Sequence, residues 1–327
     1  MFHTLVVPLD GSDLAESALQ YAVPLARAGQ GRIILVRVAL APQTMGVEDG
    51  SWEYDQRQAV GDAEQYLSAI AEGLGDQVPV ETIVPYGRPV VQILDQVRRF
   101  EADGIVMASH GRTGLAHLLF GSVPESVMAQ SPVPVFMVHA RPGDAVRPTF
   151  DPMAGRLMVP LDGSMFAEAA LELAFDFLGP AGELVLVSVA QPPDHVLRDE
   201  QGRAVAYLDQ QAESRTCKAR GYLEDMARRL RQKDPDIHVS VDVRMDEPDT
   251  GIIAAAAEHA IDLVVMATHG RTGLRRNTVG SVAGDVLRYG SAPLLLIRPV
   301  MQPLQPAMPA SEVSAARTCI AASLSRR

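Results

Sequence analysis

Two glycine-punctuated turns carry the residues of this chain that are best suited to bind an anion. Residues 107–115 (MASHGRTGL) are followed by GSV at 121–123, and residues 266–274 (MATHGRTGL) are followed by GSV at 280–282. Both glycine offsets are the same, since 270 − 111 and 280 − 121 equal 159. Glycine lets backbone N–H groups approach a phosphate, and a Gly-Ser pair that opens a helix adds amides and a hydroxyl. Two copies in one context therefore predict a pair of phosphate-binding loops.

A second repeated motif supplies a carboxylate. Residues 6–12 (VVPLDGS) return as 158–164 (MVPLDGS), with an offset of 162 − 10 = 152. Asp10 and Asp162 follow apolar runs, where a carboxylate can accept hydrogen bonds from ribose hydroxyls or adenine. In the alternative interpretation, Asp-Gly-Ser only caps the next helix. The repetition of both motifs predicts two homologous domains in tandem.

The elements between the motifs alternate between β-branched apolar runs and stretches with helical spacing. This alternation predicts an α/β fold in which each half is a doubly wound domain with five strands and four helices. The first helix is predicted to open with Asp13 as its N-cap and Glu16 as the carboxylate of a capping box, and to stop at Gly29. The predicted strands are 4–9, 32–39, 78–84, 104–109 and 133–138 in the first half, and 157–161, 183–190, 238–243, 263–268 and 294–297 in the second.

The composition divides the chain into two domains and two less regular segments. Residues 1–140 and 156–299 are the predicted domains, and 141–155 hold prolines and glycines without periodicity, as in a linker. Residues 300–327 turn rich in alanine and serine and are predicted to be a disordered tail. The alternative is a short helix with one apolar side formed by Val313, Ala316, Ile320 and Leu324.

Charge and hydropathy favour a cytoplasmic protein that binds neither a membrane nor a nucleic acid. Hydrophobic residues make up 47% of the 327 residues, and no apolar run approaches the roughly 20 residues of a membrane-spanning helix. The first residues lack the basic start of a signal peptide. The net charge of −11 argues against a groove that neutralises nucleic-acid phosphates. Cys217 and Cys319 are too few for a disulfide framework.

Taken together, these motifs resemble the universal stress protein (UspA-like) family, here as a tandem pair. The resemblance rests on PLDGS at 8–12 and 160–164, the two glycine turns, the GSV helix starts and SPVPV at 131–135. It implies a five-stranded parallel sheet of order 3-2-1-4-5 in each half. It also implies that ATP binds in the crevice between the first and fourth strands, with Mg²⁺ carried by the phosphates and no metal site in the protein.

The nucleotide-binding residues that the resemblance implies fall on matching positions of both halves. The family's first glycine is replaced by alanine in each copy, at Ala108 and Ala267, where a methyl group is tolerated if φ is negative. In the first half the implied contacts are Pro8, Leu9, Asp10, Val38 and Met107 with adenine and ribose, and Gly111, Gly121, Ser122 and Val123 with phosphates. In the second half they are Pro160, Leu161, Asp162, Val189, Met266, Gly270, Gly280, Ser281 and Val282.

The predicted function is an ATP-binding regulatory or stress-response protein whose nucleotide state alters its conformation or its choice of protein partner. A slow ATP hydrolase and a nucleotide-free interaction module are the alternatives. His110 and His269 could act on a phosphate or bind a metal, but the pattern favours the alternative, in which they are structural histidines of the turn. Arg112 and Arg271 could contact phosphate or lie in solvent. We predict no catalytic residue, because no carboxylate partner accompanies either histidine in the pattern.

Three structural expectations complete the sequence analysis. The apolar fifth strands should join the halves as an internal pseudo-dimer, since Pro134 and Pro293 suit the edges of separate sheets; a further homodimer is also open. The segments 41–58 and 191–211 lack helical periodicity and are expected to act as lids over the nucleotide. Finally, both halves retain the same motifs, so each is expected to bind one ATP.

Overall fold

One sheet of ten strands organises the part of the chain that the computed structural model describes, namely residues 2–39, 51–110, 122–140, 155–198, 204–268 and 279–298. The strands of the first half are β1 Thr4–Pro8, β2 Arg32–Val36, β3 Val80–Ile83, β4 Gly104–His110 and β5 Val135–Ala140. Those of the second half are β6 Arg156–Pro160, β7 Glu183–Ala190, β8 Leu197–Arg198, β9 Ala204–Ala206, β10 His238–Met245, β11 Leu263–Ala267 and β12 Leu294–Ile297. β8 and β9 pair separately from the large sheet.

The helices lie in the intervals between these strands. In the first half they are α1 Asp13–Glu16, α2 Leu19–Ala28, α3 Ser51–Leu74, α4 Pro89–Arg99 and α5 Ser122–Gln130, with a 3₁₀ turn at Gly75–Gln77. In the second half they are α6 Met165–Phe177, α7 Leu208–Lys233, α8 Pro248–Glu258 and α9 Ser281–Tyr289. The predicted linker, except Gly155, and the predicted tail lie outside the described residues.

The strand order confirms the predicted topology of both halves. The large sheet runs β10-β7-β6-β11-β12-β5-β4-β1-β2-β3. In each half the first strand therefore lies between the second and the fourth, and the strand pairs that each half contributes to the large sheet are parallel. Crevices form beside β1 and β6, because the chain order reverses at these strands.

The predicted pairing of the fifth strands is also confirmed. β5 and β12 run antiparallel, with Phe136 opposite Leu295, and so fuse the two five-stranded sheets. Pro134 and Pro293 lie just before these strands and contribute carbonyls, which accept hydrogen bonds of 3.0 Å from the amides of Ile105 and Val264. Because the prolines lie before the strands, their missing N–H groups remove no hydrogen-bond donor from within the joined sheet.

Helices cover both faces of the sheet, so strands such as β1, β6 and β11 in its interior are buried on both sides. On one face, the helices α2, α3, α6 and α7 pack against β1 and β6 and form a core that continues across both halves. The other face buries α4, α5, α8 and α9. The rings of Phe2 and Phe177, one from each half, lie with centroids 5.7 Å apart. The two halves thus share one hydrophobic core on each face.

The start of the first helix differs from the prediction. Ser12, not Asp13, is the N-cap: its backbone is extended, and its hydroxyl oxygen accepts a 3.2 Å hydrogen bond from the Ala15 amide. Asp13 already has helical geometry and contributes charge to the first turn. The helix is also divided in two near Ser17, whose hydroxyl donates to the Leu14 carbonyl. Gly29 ends α2, as predicted.

The two segments predicted to lack regular structure, 41–58 and 191–211, contain helical and strand residues. Residues 51–58 form the first two turns of α3, while 41–50 lie outside the described residues. In the second half, the interval 191–211 contains the pair β8–β9 and the start of α7 at Leu208. In α7 the first turn includes the exposed polar residues Asp209 and Gln210, so no apolar periodicity marks the start of this helix.

Candidate functional site

A cavity of about 800 Å³ opens at the carboxyl ends of β6, β7 and β11 in the second half. It lies where the chain order reverses around β6, which is the usual position of ligands in open α/β sheets. Gly270 is outside the described residues, and all the other second-half positions named from the sequence line this cavity. They are Pro160, Leu161, Asp162, Val189, Met266, Ala267, Gly280, Ser281 and Val282.

A tight turn after β6 places the Asp162 carboxylate at the cavity. The Ser164 amide donates a 3.0 Å hydrogen bond to Asp162 Oδ1, and the Ser164 hydroxyl accepts from the Ala167 amide at 3.2 Å. Gly163 between them has φ +81°, a conformation that favours glycine. Ser164 therefore caps α6, and Asp162 stabilises the turn through its hydrogen bond with the Ser164 amide. The capping interpretation is thus compatible with a contact between Asp162 and a ligand.

The start of α9 provides backbone donors on another side of the cavity. The Gly280 amide is already used, because it donates a 2.7 Å hydrogen bond to the Thr268 carbonyl. The next three amides, at Ser281, Val282 and Ala283, are the first of the helix and have no acceptor within it. An anion in the cavity would therefore meet donors that begin at Ser281 and not at Gly280.

Alanine fits the position of the family's first glycine in both halves. Ala108 and Ala267 lie within β4 and β11, and neither is among the described non-glycine residues with positive φ. The methyl group of Ala267 is part of the cavity wall. Beside it, Met266 is 6% exposed and packs in the core as well as lining the cavity. The strand conformation thus removes the backbone reason for a glycine.

The long helix α7 contributes residues that the sequence patterns did not indicate. Arg215, Lys218 and Tyr222 line the cavity, and their spacing of three and four places them on one face of the helix. Arg215 donates a 2.7 Å hydrogen bond to the Gln191 carbonyl and so ties α7 to the end of β7. This spacing was the available signal, but it does not reveal which face of a polar helix meets the sheet.

Tyr222 is held in place by a carboxylate of α6. Its hydroxyl donates a 3.2 Å hydrogen bond to Glu168 Oε1. Burial, followed by the charge of Glu168, raises the pKa of Tyr222 well above its ordinary value, so the phenol stays protonated. The cavity therefore combines apolar walls, one carboxylate, two cationic side chains, a tyrosine ring and a helix N-terminus, which suits a ligand with a flat apolar part and an anionic part.

The first half repeats the turn and the strand register but has different side chains in its crevice. The Asp10–Gly11–Ser12 turn repeats the second-half geometry, with the Ser12 amide 3.0 Å from Asp10 Oδ1. Tyr66 of α3 donates a 2.8 Å hydrogen bond to Glu16, as Tyr222 does to Glu168. The other first-half positions predicted from the motif are either described (Pro8, Leu9, Val38, Met107, Ala108, Ser122 and Val123) or lie outside the described residues (Gly111 and Gly121).

The described residues offer little that would suit a membrane or a metal ion. None of their helices is long and apolar enough to span a membrane. They also contain no group of three or more His, Cys, Asp and Glu side chains arranged to hold a metal ion. Of the two turn histidines, His110 ends β4, and His269 lies outside the described residues, as do Arg112 and Arg271.

Comparison with known proteins identifies relatives over nearly the whole chain. The model of the universal stress protein family matches residues 1–139 and again 153–298. A universal stress protein of Mycobacterium tuberculosis is 30% identical over 310 residues, which cover 90% of this chain and 97% of the relative. One from Methanocaldococcus jannaschii is 30% identical over 142 residues, covering 42% of this chain and 82% of the relative.

Solved structures share the fold. The crystal structure of a universal stress protein from Archaeoglobus fulgidus superimposes with a TM-score of 0.65 at 22% sequence identity, and the match covers 90% of this chain and 96% of that one. A putative universal stress protein from Pseudomonas aeruginosa gives a TM-score of 0.55 at 16% identity, covering 91% of this chain and 94% of that one. The double-domain arrangement therefore has solved counterparts.

Proposed function

Since the chain belongs to the universal stress protein family, we propose that it binds ATP in the second-half cavity and acts as a regulatory protein in the cytoplasm. The nucleotide state would alter the conformation around the cavity, and with it the choice of a protein partner. The residues 1–140 and 156–299 would act as the two domains, connected through residues 141–155.

The observation that carries this proposal is the convergence of the motif residues on one cavity. Its volume of about 800 Å³ falls within the roughly 300–1,000 Å³ of small-molecule sites. Nine residues from four separate parts of the second half, named from the repeated motifs and the family resemblance, line it together. If the motif residues served only to stabilise the fold, they would be expected to pack against one another and would not need to line a cavity.

ATP would use the chemically distinct sides of the cavity. The adenine would pack against apolar walls at Val189 and Met266, and the ribose hydroxyls would donate to Asp162. The phosphates would lie at the first amides of α9, where the helix dipole favours negative charge. Arg215 and Lys218 add positive charge at the same cavity. Mg²⁺ would be carried by the phosphates, since a dedicated protein cage is not required for it.

Regulation is favoured over catalysis by the small number of reactive groups. Hydrolysis needs an oriented water and neutralisation of the developing charge. Among the described residues at the cavity, Asp162 is the one carboxylate, and the proposal gives it to the ribose. We therefore expect turnover far below about 1 per second.

The test is ATP binding by the full chain, measured by calorimetry, with chromatography of nucleotide released on denaturation of the purified protein. Ser281→Glu places a carboxylate at the start of α9, where it suits the helix dipole but repels a phosphate. We expect at least a roughly 10-fold weaker affinity for ATP, about 1.4 kcal/mol, without loss of thermal stability. Ser281→Gln, of the same size but neutral, is the matched control and should bind nearly as the parent protein does.

Each outcome bears on a different part of the proposal. If ATP fails to bind and no nucleotide is released on denaturation, the chain is an interaction module and the proposal is wrong. Equal weakening by the Glu and Gln variants would mean that charge at α9 does not matter, which contradicts the placement of the phosphates. Rapid phosphate release would instead make the protein an ATP hydrolase.

A further inference from the structure

We propose that the two halves are unequal, with the nucleotide bound in the second half alone, because Arg37 occupies the corresponding crevice of the first half. This inference rests on the proposed ATP site and replaces the expectation of one ATP in each half. Three differences between the halves support it, and each of them arises from a different element.

The first difference is at the end of the second strand of each half. The Leu9 amide donates to the Val36 carbonyl at 2.8 Å, and the Leu161 amide donates to the Val187 carbonyl at 2.7 Å. The strand registers agree, with Pro8 opposite Val36 and Pro160 opposite Val187. The next residue is Arg37 in the first half and Ser188 in the second, so these two residues are structural counterparts.

The Arg37 guanidinium lies across the first-half crevice. Its central carbon stands 4.5 Å from the centroid of the Tyr66 ring. On the other side, one of its nitrogens is 3.1 Å from the position that a Cβ on Gly11 would take. The equivalent position on Gly163 has no atom of the described residues within 4 Å. Arg37 therefore fills the space between turn and tyrosine that in the second half belongs to the cavity.

The stacked position suits the arginine. A guanidinium over an aromatic face is attracted to the ring, and the charges of both Arg37 and Asp10 act on the Tyr66 hydroxyl. In the second half the short Ser188 side chain is 9% exposed and lines the cavity, so the Tyr222 ring meets open space. A single side chain thus distinguishes a filled crevice from an open one.

The second difference is in the charge of the long helices. Aligned through Tyr66 and Tyr222, which are 222 − 66 = 156 apart, the positions of Arg215 and Lys218 correspond to Ala59 and Asp62. The second-half helix thus brings two cations to its cavity, whereas the first-half helix has an alanine and an acid. An anionic ligand is accordingly favoured in the second half.

The third difference is in the helix that would face the phosphates. α9 begins Ser281-Val282-Ala283, and α5 begins Ser122-Val123-Pro124. Proline has no N–H group, so the third amide of the helix start is missing in the first half. The side chain that fills the crevice, the helix charge and the backbone donors therefore all point to the second half as the nucleotide site.

The experiment measures the number of ATP molecules bound to the full chain by calorimetry. We expect one for the parent protein and a second, weaker one for Arg37→Ser, which copies the second half at this position but still lacks the two cations and the third amide. The reciprocal Ser188→Arg should weaken the single site at least 10-fold. Arg27→Ser, at an exposed arginine in the last turn of α2, is the matched control for loss of charge and should still bind one ATP.

Two ATP bound by the parent protein, or one by a folded Arg37→Ser variant, would overturn the inference while leaving the proposed ATP function intact. Unchanged affinity in Ser188→Arg would overturn it as well, and this variant keeps the test valid if Arg37→Ser does not fold. If the parent protein binds no ATP, the proposed function itself fails, and the unequal-halves proposal fails with it.

Discussion

Phe136→Ala tests whether the two halves are one cooperative unit. Phe136 lies in β5 at the junction of the halves, is 1% exposed and stands opposite Leu295 of β12. Its ring also packs against that of Tyr21, with centroids 5.7 Å apart. The core around it includes residues of both halves. Removing the ring therefore leaves a cavity whose lining belongs to both.

The expected loss of unfolding free energy is about 3–5 kcal/mol, the usual cost of truncating a buried phenylalanine. At roughly 2.1 cal/mol/K per residue, the 327 residues give an unfolding entropy of about 0.7 kcal/mol/K. The Tm should therefore fall by about 4–7 °C. Calorimetric unfolding should show one transition in both proteins, displaced as a whole in the variant.

Phe175→Ala is the control for loss of a phenyl ring away from the junction. The Phe175 ring is only half-buried on α6, with the Lys233 ammonium 5.5 Å from its centroid. We expect it to cost below about 2 kcal/mol. Two resolved transitions, of which only one moves in Phe136→Ala, would refute the idea that the joined sheet makes the halves cooperative.

Three further predictions concern charge and motion. Burial tends to raise the pKa of Asp242, but hydrogen bonds with His259 and Arg244 outweigh it and hold the pKa below its ordinary value. The resulting stability is fully present above the ordinary pKa and is lost as the pH falls from there through the lowered pKa of the folded protein. Asp242→Asn should therefore lower the Tm at pH 7 and have less effect near pH 3, and an equal loss at both would contradict the assignment. Lys218→Asp, which copies the first half, should weaken ATP binding about 10-fold, less so at high salt; insensitivity to salt would exclude a charge effect. If 191–211 acts as a lid, ATP should slow its amide hydrogen exchange, and equal exchange with and without ATP would end that idea.

Much of the architecture could be predicted because its determinants are local. The two Asp-Gly-Ser turns need a glycine at positive φ, found at Gly11 and Gly163, and the apolar runs alternate with helical spacing in a way that parallel sheets require. The apolar fifth strands with prolines at their starts were enough to predict that β5 and β12 pair. The positions of the helix ends were less certain: Ser12 replaced Asp13 as the N-cap, since both residue types can cap.

The sequence by itself determined the duplication, the strand order through its family motifs and nine of the residues that meet at the second-half cavity. Only the tertiary structure decided which side chains share that space. Arg37 reaches Tyr66 across 29 residues of chain, since 66 − 37 = 29, and the rotation of α7 turns Arg215 and Lys218 toward Asp162. The directions of these side chains depend on the sheet register and on the rotation of each helix, which the packing of the whole core sets. The same motif can therefore surround an open crevice in one half and a filled crevice in the other.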